Sequence, residues 1–168
     1  YIESRTAQNA SSDADSEITR PSGFLEMCRW VKANKGISAG TSTLLLAPFP
    51  TTATNDIISQ SLTALMEFMG VPMEDEEGNL VYQYGTEEFY DVVEFLNQAY
   101  RDGLIFSGNF AYKQDDVTTQ ILNGRPFAFV GNDQVFRSAF AKREMQGYSA
   151  ATNTVAEENE YVSILLTN

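Results

Sequence analysis

Histidine is absent from this sequence of 168 residues, and cysteine occurs once, as Cys28. Without histidine the chain can form neither a Ser-His-Asp or Cys-His triad nor a His-ligated zinc site. One cysteine excludes an internal disulfide and a cysteine-cluster metal site. Long apolar runs are also lacking, since the longest, near 44–47, stops at Pro48, well below the roughly 18 residues that span a bilayer. We therefore expect no enzyme of these classes, no cofactor and no metal.

Basic residues are scarce as well. The chain has 11 Lys and Arg against 23 Asp and Glu, a formal net charge of −12. Such a surface repels phosphate, so we expect no nucleic-acid partner. Between Lys35 and Arg101 there are ten acidic residues and no basic one, which predicts a solvated acidic face. The length and the 43% hydrophobic content predict one globular domain with its own core, and an acidic monomer.

The chain begins at Tyr1 without a signal peptide and ends just after an apolar run at 161–166. We expect it to be a segment of a longer precursor whose remaining part carries the targeting signal. Residues 1–20, rich in Ala, Ser and Asp, are predicted to be an N-terminal linker or hinge segment. Residues 21–168 are predicted to form a single α/β lobe.

The apolar pattern along the chain predicts alternating helices and strands. A helix opened by Pro21 carries its apolar residues on one face, at Phe24, Met27, Cys28 and Val31. Further helices are predicted after 54–55, after Thr86, after 115–116 and at 134–143, with strands at 43–47, 80–84, 126–130 and 161–166. The helix that Thr86 caps is predicted to bury Phe89, Val92, Val93, Leu96 and Tyr100.

Three segments follow one another over about 110 residues: PSGFLEMC at 21–28, a helix at 85–105 that begins GTEEFY and ends YRDGLI, and ILNGRPFAFVG at 121–131. They resemble a Pro-x-Thr-Trp-x-Glu-Phe helix without its usual tryptophan, a long helix ending in Tyr-x-x-Gly-Leu-Ile, and an F-x-x-Gly-Lys-Ala-Ala-Met-x-x-x-Gly segment. In this order the three segments resemble part of the family of extracellular solute-binding proteins of bacterial ABC importers, the maltodextrin-binding type.

The resemblance implies a fold and a function. Members of that family have two α/β lobes of the type II periplasmic-binding-protein fold, which close on a ligand. This chain would be most of the second lobe, with helices around a small sheet and half of a binding cleft. The implied function is capture of a small solute, a carbohydrate such as an oligosaccharide, for the membrane permease of an ABC importer. The implied location is extracellular, on a cell-surface lipoprotein or in the periplasm.

The resemblance also implies ligand-contact residues on two loops. After the first strand the family reads Pro-aromatic, with the aromatic ring stacked on a sugar; here the loop has Pro48, Phe49 and Thr51. Phe49 could instead pack against its own lobe. After the strand at 126–130, sugar binders often carry Gly-x-Trp, whereas this chain has Asn132 and Asp133 after Gly131. Their side chains could hydrogen-bond hydroxyls or an amine, or form a turn and a helix N-cap.

Tyr112, on another predicted loop, completes the candidate ligand contacts. Two other kinds of function are open at this point. A glycosidase with paired carboxylates would need two of them about 5–10 Å apart in a pocket, but the acids here fall mainly at predicted helix starts and turns. A surface interaction module without a small-molecule ligand would instead expose a sizeable apolar patch.

Overall fold

Two short parallel strands lie at the centre of the fold. The computed structural model of the chain describes residues 20–35, 40–48 and 58–131. Within these ranges the chain forms strands β1 (Leu44–Leu46) and β2 (Ala128–Val130), and helices α1 (Pro21–Asn34), α2 (Ser59–Phe68), α3 (Glu87–Arg101) and α4 (Gln114–Leu122). Short 3₁₀ turns occur at Gln83–Gly85 and Ser107–Ala111. The described part of the chain is therefore mixed α/β, as predicted.

The sheet is covered by helices on both faces. β1 and β2 pair in parallel, with Leu44, Leu45 and Leu46 beside Ala128, Phe129 and Val130. Because successive side chains of a strand point to opposite faces, Leu44 and Leu46 join the larger apolar cluster with α1, α2 and α3. Leu45 and Ala47 join a second cluster that contains Val117 and Ile121 of α4. This double burial accounts for the uninterrupted apolar run of β1.

The predicted helical stripe of α1 is confirmed. Pro21 occupies the first turn, where a missing N–H costs nothing, and all four predicted stripe residues are buried. The ring of Phe24 stacks on that of Phe95 of α3, with the ring centroids 6.3 Å apart. At the end of α3, Arg29 pairs with Asp102, with 2.6 Å between Nη2 and Oδ2, and Lys32 Nζ donates to the Asp102 carbonyl at 2.7 Å. α1 and α3 thus contact each other through an aromatic pair, an ion pair and a hydrogen bond.

The prediction of a strand at 80–84 is wrong. Met73–Leu80 forms a tight turn closed by an antiparallel bridge between Glu74 and Leu80, and the chain then enters the 3₁₀ turn Gln83–Gly85. Leu80 and Tyr82 are 86% and 77% exposed. Alternation of apolar residues predicts a strand where the apolar face is covered, but here the apolar residues Leu80, Tyr82 and Tyr84 are the exposed ones.

The start and end of α3 are as predicted, but its buried face is rotated from the predicted one. Thr86 Oγ1 accepts a hydrogen bond from the Phe89 N–H at 3.2 Å, and Gly103 ends the helix with φ 65°. The fully buried residues are Val92, Phe95 and Ala99. The predicted core residues Val93 and Tyr100 are instead exposed. Apolar residues therefore occupy two faces of this helix.

Several predicted elements lie outside the described residues: the linker over 1–19, the helix at 134–143 and the strand at 161–166. No helix within the described ranges is long and apolar enough to cross a membrane.

Candidate functional site

The carboxyl ends of β1 and β2 lie at one edge of the sheet. Leu46 pairs with Val130 in the parallel register, so Pro48 and Gly131 follow the two strands at that same edge. Pro48 is buried and Gly131 is half-buried. These are the residues at which both predicted ligand loops begin. The predicted contacts Phe49, Thr51, Asn132 and Asp133 lie outside the described residues.

Ser61, in the first turn of α2, holds the two strand ends together. Its Oγ accepts a hydrogen bond from the Ala47 N–H at 2.7 Å and donates one to the Val130 carbonyl. Its own N–H donates to the Ala47 carbonyl at 3.2 Å. One fully buried serine therefore satisfies backbone groups of Ala47, just after β1, and of Val130, the last residue of β2. It places the N-terminal end of α2 over the carboxyl edge of the sheet.

Gln60, beside Ser61, carries an unpaired carboxamide at this edge. The residue is 2% exposed, yet neither its Nε2 nor its Oε1 has a hydrogen-bond partner in the described part of the chain. A methyl group added at Gly131 would lie 2.8 Å from Gln60 Oε1 and nearer still to the ring of Phe129. An unpaired buried polar group costs about 1–3 kcal/mol. The stability of the fold alone therefore does not account for a glutamine at this position.

Asn109 satisfies the opposite edge of β1. Its Oδ1 accepts from the Leu46 N–H at 3.0 Å and from Ser42 Oγ at 3.2 Å, and its Nδ2 donates to the Leu46 carbonyl at 2.8 Å. The Leu44 N–H donates to the Leu104 carbonyl at 3.0 Å. The segment 104–109 thus takes the place of a third strand. The Asn109 carboxamide forms the hydrogen bonds to Leu46 that a peptide group of such a strand would form.

Tyr112, on the third predicted ligand-contact loop, lies three residues after Asn109. Its backbone N–H donates to the Asn109 carbonyl at 3.1 Å. Its half-buried ring packs against the second apolar cluster, which includes Ala47 and α4 residues. The structure therefore gives the Tyr112 ring a packing role against the same cluster that contains Ala47.

Chemistry based on the thiol or on a metal finds little support in the described part of the chain. Cys28 is 0% exposed, and burial raises the pKa of its thiol to about 12, so it is neutral near pH 7 and no nucleophile. No group of three or more Cys, Asp and Glu side chains in these ranges is placed to hold a metal ion.

In the acidic turn, hydrogen bonds from Asn79 hold the pKa of the Asp75 carboxyl below its usual value.

Sequence reasoning missed Gln60, Ser61 and Asn109. Their roles depend on backbone groups far along the chain, such as Leu46, which is 63 residues from Asn109. Only Gln60 had a local signal in the sequence. It lies in a polar Ser-Gln-Ser run at the start of a helix, after Ile58, which gives no side-chain cap.

Comparisons of the chain with models of known protein families, with curated protein sequences and with solved structures found no significant match.

Proposed function

We propose that this chain is a ligand-binding lobe that captures a small neutral solute, a carbohydrate, at the carboxyl edge of its sheet. The proposal includes the type II periplasmic-binding-protein fold and an importer as the recipient of the solute, both of which rest on the sequence motifs. The observation that carries it is the buried, unpaired carboxamide of Gln60 beside Gly131.

The position of the edge supports the proposal. In open α/β sheets, ligands bind outside the carboxyl ends of the strands. Here Pro48 and Gly131 follow neighbouring parallel strands, and the first turn of α2 lies over both strand ends through Ser61. The N-terminal end of a helix carries a partial positive charge that suits ligand oxygens. In the first turn of α2 the Ser61 N–H already donates to the Ala47 carbonyl, so we propose that the helix contributes this charge.

The chemistry of Gln60 supports a hydroxylated ligand. A carboxamide offers two donors and an acceptor with no charge, which is what a sugar hydroxyl needs because it donates and accepts at once. The net charge of −12 disfavours an anionic solute. Since the carboxamide is shielded from water, the solute would reach it only after a covering side chain moves. The ring of Phe129, which lies against Gly131 at the same place, is the cover that we propose.

The test is a thermal-shift screen on the protein expressed with whatever sequence flanks this chain in its gene. The probes are maltose, maltotriose, cellobiose and xylobiose. A ligand present at about 100 times its Kd stabilises a protein by about 2.7 kcal/mol, so one sugar should raise the melting temperature. Gln60→Met keeps the length of the side chain and removes both polar groups, and it should abolish that shift.

Gln98→Met is the matched control, because Gln98 is exposed on α3 and lies away from the sheet edge. A sugar that stabilises Gln60→Met as much as the unchanged protein would remove Gln60 from the site. A flat response to all four sugars would contradict carbohydrate capture. Phe49→Ala, which should weaken the same response, tests the stacking role that the resemblance implies.

A further inference from the structure

A second surface, on the outer side of α3, presents aromatic residues to water. Leu80 and Tyr82 are 86% and 77% exposed, and Tyr84 and Tyr90 are 54% and 66% exposed. The rings of Tyr82 and Tyr84 meet edge to face at 5.7 Å, and Tyr84 meets Phe89 of α3 at 5.1 Å. We call this set, with Val93, the α3 outer surface. Of these residues only the partly buried Phe89 packs against an apolar cluster of the core, and the others belong to neither cluster.

The helical spacing of α3 sets carboxylates directly beside these rings. Residues three and four apart are neighbours on a helix surface. Tyr90 therefore lies between Glu87, three residues before it, and Glu94, four residues after it. Asp91 continues the acidic row, while Val93 and Tyr100 continue the apolar one. All three carboxylates and Tyr90 are exposed. A positive charge over the Tyr90 ring would therefore lie within reach of two carboxylates.

In the part of the chain that the structure describes, these carboxylates have no cationic partner. Within the residues that the structure describes, none of Glu87, Asp91 and Glu94 forms an ion pair; the pair between Arg29 and Asp102 lies at the other end of α3. The sequence carries no Lys or Arg from 36 to 100. The turn that precedes Leu80 adds four more acids, at 74–77. The surface thus combines exposed π faces with uncompensated negative charge.

We propose that the α3 outer surface binds a cationic protein segment, with an arginine side chain over Tyr90 and between Glu87 and Glu94. Exposed apolar patches with polar rims mark interaction sites. Tyrosine rings attract guanidinium groups through their negative faces, and arginine combines such stacking with bidentate pairing to carboxylates. The charge of the surface disfavours a second copy of this acidic chain as the occupant. This interaction lies outside the solute site and does not depend on it.

Fluorescence anisotropy with a labelled oligoarginine peptide of about ten residues tests the proposal on the full chain. We expect saturable binding at about 50 mM salt that weakens at about 300 mM, because exposed charge pairs are screened. Tyr90→Ser should weaken binding about two- to fivefold, the value of an exposed cation–π contact, whereas Tyr90→Phe keeps the ring and should bind normally. Glu94→Gln should weaken binding about two- to threefold.

The matched control for charge is Glu26→Gln, because Glu26 is an exposed acid on α1 away from the proposed surface. Equal weakening by Glu26→Gln and Glu94→Gln would mean that only the net charge attracts the peptide, and the proposal would be wrong. It would also be wrong if Tyr90→Ser bound as well as the unchanged chain, if no saturable binding occurred, or if the chain self-associated through Tyr90. Circular dichroism of each variant verifies the fold.

Discussion

The carboxyl edge of the sheet and the α3 outer surface place polar and apolar groups in opposite ways. At the sheet edge, the polar side chains of Gln60 and Ser61 are at most 2% exposed among apolar neighbours. On α3, the ring of Tyr90 is 66% exposed among carboxylates. Folding alone favours neither arrangement, because burial of a polar group costs free energy and an exposed ring gains none.

The contrast between the sheet edge and the α3 outer surface helps to distinguish polar side chains that stabilise the fold from those that do not. Asn109 and Ser61 are buried and paired with backbone groups on either side of β1, so their cost is offset within the fold. Gln60 is buried and unpaired, so no hydrogen bond in the described part of the chain offsets its cost, and we propose that a ligand does. Tyr90 costs little where it is and contributes little to the core. The comparison therefore predicts that substitution of Asn109 lowers the free energy of unfolding strongly. Substitution of Gln60 should raise it, and substitution of Tyr90 should leave it nearly unchanged.

The largest expected effect is at Asn109. Asn109→Ala leaves the N–H and carbonyl of Leu46 unpaired in the core, and each such group costs about 1–3 kcal/mol. We expect the free energy of unfolding to fall by about 3 kcal/mol, measured by urea denaturation followed by circular dichroism. Asn97→Ala, at an exposed position of α3, should change it by less than about 0.5 kcal/mol. Equal effects at the two positions would show that the Asn109 network does not support β1.

Local features of the fold could be predicted from the sequence, and distant ones could not. Thr86 and Gly103 gave the ends of α3 because a cap and a glycine act on their own turn. The buried face of α3 was misassigned because Val93 and Tyr100 continue an apolar pattern that has no partner in the core. Only contacts made elsewhere in the chain decide which of two apolar faces is covered.

The same reasoning applies to the candidate site. The apolar runs at 43–47 and 126–130 predicted both strands, and Pro48 and Gly131 marked where they end. The parallel pairing that brings these ends together leaves no local mark. The roles of Ser61 and Gln60 follow from that pairing, since Ser61 forms hydrogen bonds with the backbone at the end of both strands. The edge could thus be anticipated, but not the groups that line it.

A smaller effect of opposite sign is expected at Gln60. Gln60→Met removes an unpaired buried carboxamide and fills the space with an unbranched apolar chain. The free energy of unfolding without ligand should rise by about 1–2 kcal/mol, measured by the same denaturation. Gln98→Met should leave it within about 0.5 kcal/mol. A destabilised Gln60→Met would mean that the carboxamide serves the fold, and the distinction between Gln60 and its neighbour Ser61 would disappear.

The smallest effect is expected on the α3 outer surface. Tyr90→Ser removes a ring that is 66% exposed, and serine and tyrosine have similar helix propensities, so the free energy of unfolding should change by less than about 0.5 kcal/mol. Urea denaturation of this variant beside the unchanged chain measures the difference. A loss above about 1 kcal/mol would mean that the ring contributes to the packing of the fold. A null result, together with weaker peptide binding by the same variant, would assign the exposed ring to recognition, because a group that the fold does not need is then needed by a partner.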